Sequence, residues 1–340
     1  MPHISKKKLT YPIGPKLRHY LKQHGRETLI PIHYTHLKNF KQSIALYDKK
    51  GKDTLWETCL FDQEEQMHIH GQLLMIYALL KVGGDMRVVD HLKVERIDCC
   101  LYGNTMPFRI RIVNRLNDNF DYFYVKHADA SRIYGLELEH LLSPNRISYL
   151  VSGNTLIEEH IAGIPGDDFI KHYINLDNFN GTRVAKEFVK FNERCFIRLL
   201  GDMHSSNFVL QITPDFDETN YRIRPIDFDQ QSFESRKNIY LPQFYKQNEV
   251  FLELVKKHIS KESLQQYQLE ERAMMLTRMR AAKWPIHNLL YAMSNDEIAP
   301  PENVWQLSEE LSKFYQSNRF NKAKNMGEIL RASLLHLLKR

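Results

Sequence analysis

Apolar positions recur at two periods along the chain, and the change of period divides it into a strand-rich stretch and a helix-rich one. Between residues 87 and 161 the pattern alternates. Phe108, Ile110 and Ile112 are interleaved with Arg109 and Arg111, which predicts a half-buried strand over 108–113. Neighbouring strands are predicted over 94–102 and 120–126, with turns at 103–105 and 114–119. Two further strands, 147–152 and 155–161, flank Gly153-Asn154, a strong hairpin signal. A helix is predicted over 130–142, supplied with contacts by Leu136, Leu138, Leu141 and Leu142 and stopped by Ser143-Pro144. Beyond 166 the period becomes helical. Val184, Phe188, Phe191, Cys195 and Leu199 recur at intervals of four and three, predicting a buried helix over 182–200. From Gln231 onward the chain reads as helical to its end, over 249–258, 261–282, 302–316 and 327–338, with Pro285 and Pro300-Pro301 as breaks. Val304, Leu307, Leu311 and Phe314 form one core stripe there, and Leu330, Leu334 and Leu338 another.

The first ninety residues are less patterned. A short helix is predicted over 15–24, with strand character at 29–33, 42–47 and 55–61 and a polar turn at 49–53. A helix over 62–81 follows, with Asp62 as N-cap and Glu65 three residues on, the capping-box arrangement, and Gly83-Gly84 ending it. His68 and His70 lie two apart. Metal-binding pairs on a helix prefer a spacing of four, so these histidines read as solvated. The segment is expected to pack on the first lobe or to serve as a specificity element.

Chemistry concentrates at 199–210 and 225–231. Asp202 is followed five residues later by Asn207, and Asp227 is wedged between Ile226 and Phe228. Phosphoryl transfer from a nucleotide needs a carboxylate to orient and deprotonate a hydroxyl. It also needs an amide oxygen and a second carboxylate to hold magnesium against the phosphates. Strands over 208–212 and 221–226 form a hairpin that sets Asn207 and Asp227 at neighbouring strand ends. Asp215, Asp217 and Glu218 in its turn read as solvated.

Gly201-Asp202-x-His204-x-x-Asn207 followed by Ile226-Asp227-Phe228-Asp229 resembles the catalytic and metal-binding loops of the protein-kinase-like superfamily. It is most similar to the aminoglycoside phosphotransferase, choline kinase and sugar kinase branch, whose loop reads His-Gly-Asp-x-His-x-x-Asn. Leu200 departs from that pattern by standing where the branch has His. The separation of Asn207 from Asp227 departs from it too, being longer than is typical.

The resemblance implies an α+β, two-lobed protein-kinase-like fold. An N-terminal extension would occupy 1–90, a mostly antiparallel β small lobe 91–163, and a mostly helical large lobe 164–340. It implies ATP and Mg²⁺, with the γ-phosphoryl group moved to a hydroxyl of a small molecule, a protein acceptor remaining open. Asp202 would be the base, and Asn207 and Asp227 would hold the metal. Asp229, in the place of the glycine of Asp-Phe-Gly, ranks second for that role, and His204 would brace the loop.

Lys126, closing the third strand, would position the phosphates, oriented by a helix glutamate. Glu137 and Glu139 are rivals for that pairing. Two residues apart on a helix they point about 200° from each other, so only one can face the lysine, and Glu137 is favoured. The turn carrying Gly103 would cover the phosphates with backbone N–H groups. Glu159 and Ile161 would offer backbone groups to the adenine edge, with His160 between them in an aromatic's place. Gly163, Pro165 and Gly166 would break the chain between lobes. Leu200 and the sparse glycine loop also suit a kinase-like pseudoenzyme, and transfer of AMP is a third possibility on the same scaffold.

Composition adds bounds. The chain has 340 residues and a formal charge of +6, which suits an anionic ligand without requiring nucleic acid. Basic residues are scattered apart from Lys6, Lys7 and Lys8 and the segment 319–324, read as solvated surface. The four cysteines show no Cys-x-x-Cys spacing, so neither a disulfide framework nor a zinc site is expected. The N-terminal lysines precede no apolar segment, and the most apolar run, 73–82, is too short to span a bilayer. The expectation is a soluble, reduced, cytoplasmic protein.

Overall fold

The computed structural model of the protein describes residues 8–103, 105–177, 179–214 and 219–337. Lys6, Lys7, Asn104, Leu338 and the acidic trio Asp215, Asp217 and Glu218 lie outside these. The chain forms two compact units. The described part of the first comprises residues 8–13, 21–129 and 147–160, and that of the second 14–20, 130–146 and 161–337.

The first unit is built on a seven-stranded antiparallel sheet. Its strands are β1 (Gln42–Tyr47), β2 (Asp53–Leu60), β3 (Leu92–Cys99), β4 (Phe108–Asn114), β5 (Phe120–His127), β6 (Tyr149–Ser152) and β7 (Thr155–Glu159), in the order β1-β2-β3-β4-β5-β7-β6. The alternation read in 108–113 is realised in β4. Phe108, Ile110 and Ile112 are buried in a core with Ile97, Phe123, Val125 and Ile157, while Arg109 and Arg111 stand on the other face. The hairpin joining β6 to β7 turns at Gly153, whose φ of 54° is the left-handed conformation that such turns need.

The first ninety residues are more than a packing layer, because β1 and β2 extend the sheet itself. The helix Gln63–Val82 covers β3 and buries Ile69, Leu73 and Ile76 in the same core. Tyr34 hydroxyl donates to the carbonyls of Thr105 (2.7 Å) and Met106 (3.3 Å), tying this segment to the turn before β4.

Three expectations for this region change. No strand forms over 29–33. Ile30 and Ile32 are buried, but Pro31 has no N–H to give a ladder, and pairing is limited to a bridge between Glu27 and Val151. Asp62 is the N-cap residue but makes no capping hydrogen bond, and its carboxylate instead lies 3.5 Å from Lys41. Lys8 is not solvated. Its ammonium is buried against Asp129 at 3.0 Å, because Tyr11 N–H also anchors the segment on that carboxylate.

The second unit is mostly helical. Its centre is the helix Gly181–Arg198, with Val184, Phe188, Phe191 and Cys195 essentially inaccessible. The helices Glu249–His258, Lys261–Ala281 and Met326–Leu337 pack around it. A three-stranded sheet of β8 (Ile164–Pro165), β9 (Phe208–Pro214) and β10 (Thr219–Pro225) runs in the order β10-β9-β8. Residues 232–248 are not regular helix as expected but hold three short 3₁₀ turns. The helical run is interrupted at Ala282, between Lys261–Ala281 and Lys283–Met293, and Pro285 sits in the first turn of the second helix, where its missing N–H leaves no intrahelical bond unmade. Among the described residues no helix is long and apolar enough to cross a membrane.

Candidate active site

The loop at 199–207 is fixed from both ends. The helix Gly181–Arg198 closes on Leu199, whose φ of 55° reverses the chain, and Leu200 N–H returns to Cys195 (2.9 Å). Leu200 is fully buried and bridges Gln231, and Gly201 N–H donates to Gln230 (3.1 Å). Asp202 also lies at positive φ, 58°, with its N–H within reach of Tyr245 hydroxyl (2.9 Å) and Ile239 carbonyl (3.3 Å). Left-handed residues other than glycine cost energy, and a fold that clamps them from several sides marks a place where geometry matters.

Asp202, Asn207 and Asp227 come together here. Asn207 Nδ2 donates to the Asp202 carbonyl (2.8 Å) and approaches its Oδ2 (3.4 Å). The carbonyl of Asn207 accepts from Ile226 N–H (3.0 Å), and the pairing of Phe208 with Pro225 brings the two strand ends side by side. His204 accepts from Ser206 N–H (3.4 Å) and lies 3.9 Å from Asp202.

Arg132, in the helix Ala130–Leu142, is a participant that the sequence did not single out. Its Nη1 lies 2.8 Å from Oδ1 of both Asp227 and Asp229, and Asp229 N–H adds a bond to Asp227 (3.0 Å). Ser131 and Gly135 of the same helix hold the loop closely. Ser131 hydroxyl donates to Gln231 carbonyl (2.7 Å), and a Cβ on Gly135 would stand 3.0 Å from that of Phe228. Nothing distinguishes Arg132 in sequence from a solvated arginine in a first helical turn.

Burial pushes the Asp202 carboxyl up to about 6. His204 opposes the shift, while Asp227, Glu234 and Asp229 add to it. The charges of Asp227, Glu234 and Asp229 thus add to the cost of ionising Asp202, a cost that a bound cation would lower. No three His, Cys, Asp or Glu side chains form a ready metal cage among the described residues. Magnesium does not require one, since it is commonly held by one or two carboxylates together with substrate phosphates.

A raised carboxyl has a definite stability signature. The folded protein holds the Asp202 proton more tightly than the unfolded chain, so its contribution is fully present below about 4 and is lost as pH rises through about 6. Asp202→Asn is therefore expected to be more stable than wild type at pH 7.5, with the gap narrowing toward pH 4. The side chain is 42% exposed, so solvent screening limits the gain to about 1 kcal/mol, or about 2–4 °C in Tm. Melting curves at the two pH values check this. A gap independent of pH would assign the effect to the left-handed backbone, which Asn also tolerates.

The remaining residues singled out in sequence divide between the two units. Lys126, Gly103 and Glu159 belong to the first unit, and Glu137 and Ile161 to the second. Lys126 lies 2.8 Å from Glu158, on the same face of the adjoining strands. Glu137 accepts from Tyr20 hydroxyl (2.9 Å), whereas Glu139 is fully buried against Arg198. Gly103 occupies a tight turn in which a Cβ would lie 2.6 Å from Pro107. Glu159 N–H already donates to Ser148 (3.0 Å), and its carboxylate accepts from Ser148 N–H (2.8 Å).

No family model and no curated protein matches the chain. Among solved structures it is similar to the autoinhibited serine kinase domain of the giant muscle protein titin, at 10% identity and a TM-score of 0.30. That match covers 72% of this chain and 92% of the other. It is also similar to the Rad53 kinase domain and SCD2, at 14% identity and a TM-score of 0.23, covering 55% of this chain and 82% of that one.

Proposed function

We propose that this protein is a phosphotransferase of the kinase-like kind, moving the γ-phosphoryl group of ATP to a hydroxyl of a small molecule. The observation that carries the reading is the joining of Asp202, Asn207 and Asp227 by hydrogen bonds and strand pairing across the β9–β10 hairpin. Asp202 would accept the hydroxyl proton, and its raised pKa keeps it a usable base near neutrality. Asn207 and Asp227 would hold Mg²⁺, with Asp229 in support. The ion would supply charge neutralisation at the phosphates. Lys126 on the third strand of β3-β4-β5, and Glu137 on the helix that follows, fit the sequence order of the lysine and helix glutamate that position phosphates in kinases. Glu159, Ile161 and the Gly103 turn are assigned to the nucleotide.

A second reading, a nucleotide-binding or inert pseudoenzyme, is favoured by Arg132, whose guanidinium already pairs with the proposed metal ligand Asp227. Melting curves with and without ATP and Mg²⁺ address this. Binding to the native state raises Tm by mass action, and at 100 times Kd the gain is about 2.7 kcal/mol. A magnesium-dependent rise that is lost in Asp227→Ala is expected. No shift at millimolar ATP would overturn the active reading. Product mass then separates phosphoryl transfer, roughly +80 Da, from AMP transfer, roughly +329 Da.

A further inference from the structure

The second unit contains a basic cavity of about 490 Å³ lined by Arg236, Lys237, Asn238, Glu310, Lys313 and Phe314. That size lies within the range of about 300–1,000 Å³ typical of small-molecule sites. Three cations face one carboxylate. Glu310 is occupied in part, because its Oε2 accepts from Lys237 backbone N–H at 2.8 Å. Lys237 ammonium is turned toward Asn238 Oδ1 (3.0 Å) and lies 5.5 Å from the centre of the Phe314 ring. Arg236 and Lys313 are exposed, and among the described residues neither has an ion-pair partner. Cations left in excess around a concave site attract an anion, and an arginine with a lysine suits the oxygens of a phosphate group.

The cavity is also tied to the catalytic loop. Lys237 opens the 3₁₀ turn Lys237–Tyr240, and Ile239 in that turn offers its carbonyl to Asp202 N–H (3.3 Å). The rise from Arg236 to Ile239 is about 6 Å at 3₁₀ geometry. The half-exposed Phe314 ring supplies an apolar wall beside the charges.

We infer that this cavity receives the anionic end of the acceptor, so that the substrate is a small hydroxyl compound carrying a phosphate monoester or a comparable dianion. The inference rests on the phosphotransferase reading for the word acceptor, but the anion site stands or falls separately. A cationic acceptor such as an aminoglycoside would be repelled by the same three side chains.

Inorganic phosphate is the probe, measured by calorimetric titration against wild type, Arg236→Ala/Lys313→Ala and Asp227→Ala, with acetate as a monoanionic control. Wild type and Asp227→Ala are expected to bind phosphate in preference to acetate, and the double variant to bind it about tenfold more weakly. Both replaced side chains are exposed, and an unchanged Tm confirms that the double variant is folded. Equal affinity in wild type and double variant, or no binding to wild type, would overturn the proposal. The ATP and Mg²⁺ melting shift is read on the same samples. Its failure alongside variant-sensitive phosphate binding removes the phosphotransferase and keeps the anion site. The reverse result removes the anionic acceptor and keeps the nucleotide site.

Discussion

Asp202→Asn is expected to lower turnover by about 10²–10⁴-fold while leaving ATP and Mg²⁺ binding nearly unchanged. The size follows from removing the proposed proton acceptor while the proposed metal-binding pair Asn207 and Asp227 is kept. The substitution is conservative in shape, since an amide oxygen can still accept from Asn207 Nδ2, so loop geometry is retained. Wild-type activity should carry its own marker of the same group. With the carboxyl pushed up to about 6, the rate at saturating substrate follows a limb that rises with pH through that value. Bound nucleotide adds negative charge and raises the limb, whereas Mg²⁺ lowers it, so titrating magnesium should shift it downward. Turnover within about tenfold of wild type, with the limb still present, would remove Asp202 from the role of base.

The features that could be read in advance share one property: their signal is local. The stripe Val184, Phe188, Phe191 and Cys195 carries its own period, and the face it predicts is the face that is buried. The alternation in β4 is equally self-contained. The spacing of Asp202 and Asn207 reads as chemistry because one loop holds both. What escaped depends on contacts between distant segments. Arg132 acts through Asp227 and Asp229, 95 and 97 positions away, and no period announces that closure. Glu193, Arg194 and Arg198 look like the solvated face of an amphipathic helix, yet all three are buried. The helix Lys261–Ala281 brings Glu271 to Arg194 and Arg272 to Glu193, so that face is covered and its charges are paired. The failure at 29–33 is of another kind. Ile30 and Ile32 alternate as in a strand, but Pro31 between them has no N–H, which is the stronger statement about a ladder.

Glu139→Ala is expected to destabilise the second unit by about 3–5 kcal/mol, the range for removing one partner of a buried ion pair. Glu139 and Arg198 are each essentially inaccessible, and Arg198 Nε and Nη2 meet no hydrogen-bond partner among the described residues. Burial alone would raise the Glu139 carboxyl, but the charges of Arg198 and Arg194 together with hydrogen bonds from Ser143 and Arg198 more than offset it, leaving the group below its ordinary value. Truncating Glu139 therefore strands a guanidinium in an apolar interior with its principal neutralising charge gone. The damage should spread to the loop at 199–207, because Arg198 is the last residue of the helix that delivers Leu199 and Asp202, and its carbonyl accepts from Gln231. Glu139→Gln keeps an acceptor and should cost less than Glu139→Ala. Replacing both partners, as Glu139→Leu/Arg198→Met, should recover much of the loss, since a well-packed apolar pair removes the desolvation cost altogether. Denaturant melts of the three variants decide the matter, with ATP and Mg²⁺ shifts reporting on the loop. If the double variant proves less stable than Glu139→Ala, the pair acts as a specific organiser of this interior, and a buried charge awaiting neutralisation is the wrong account.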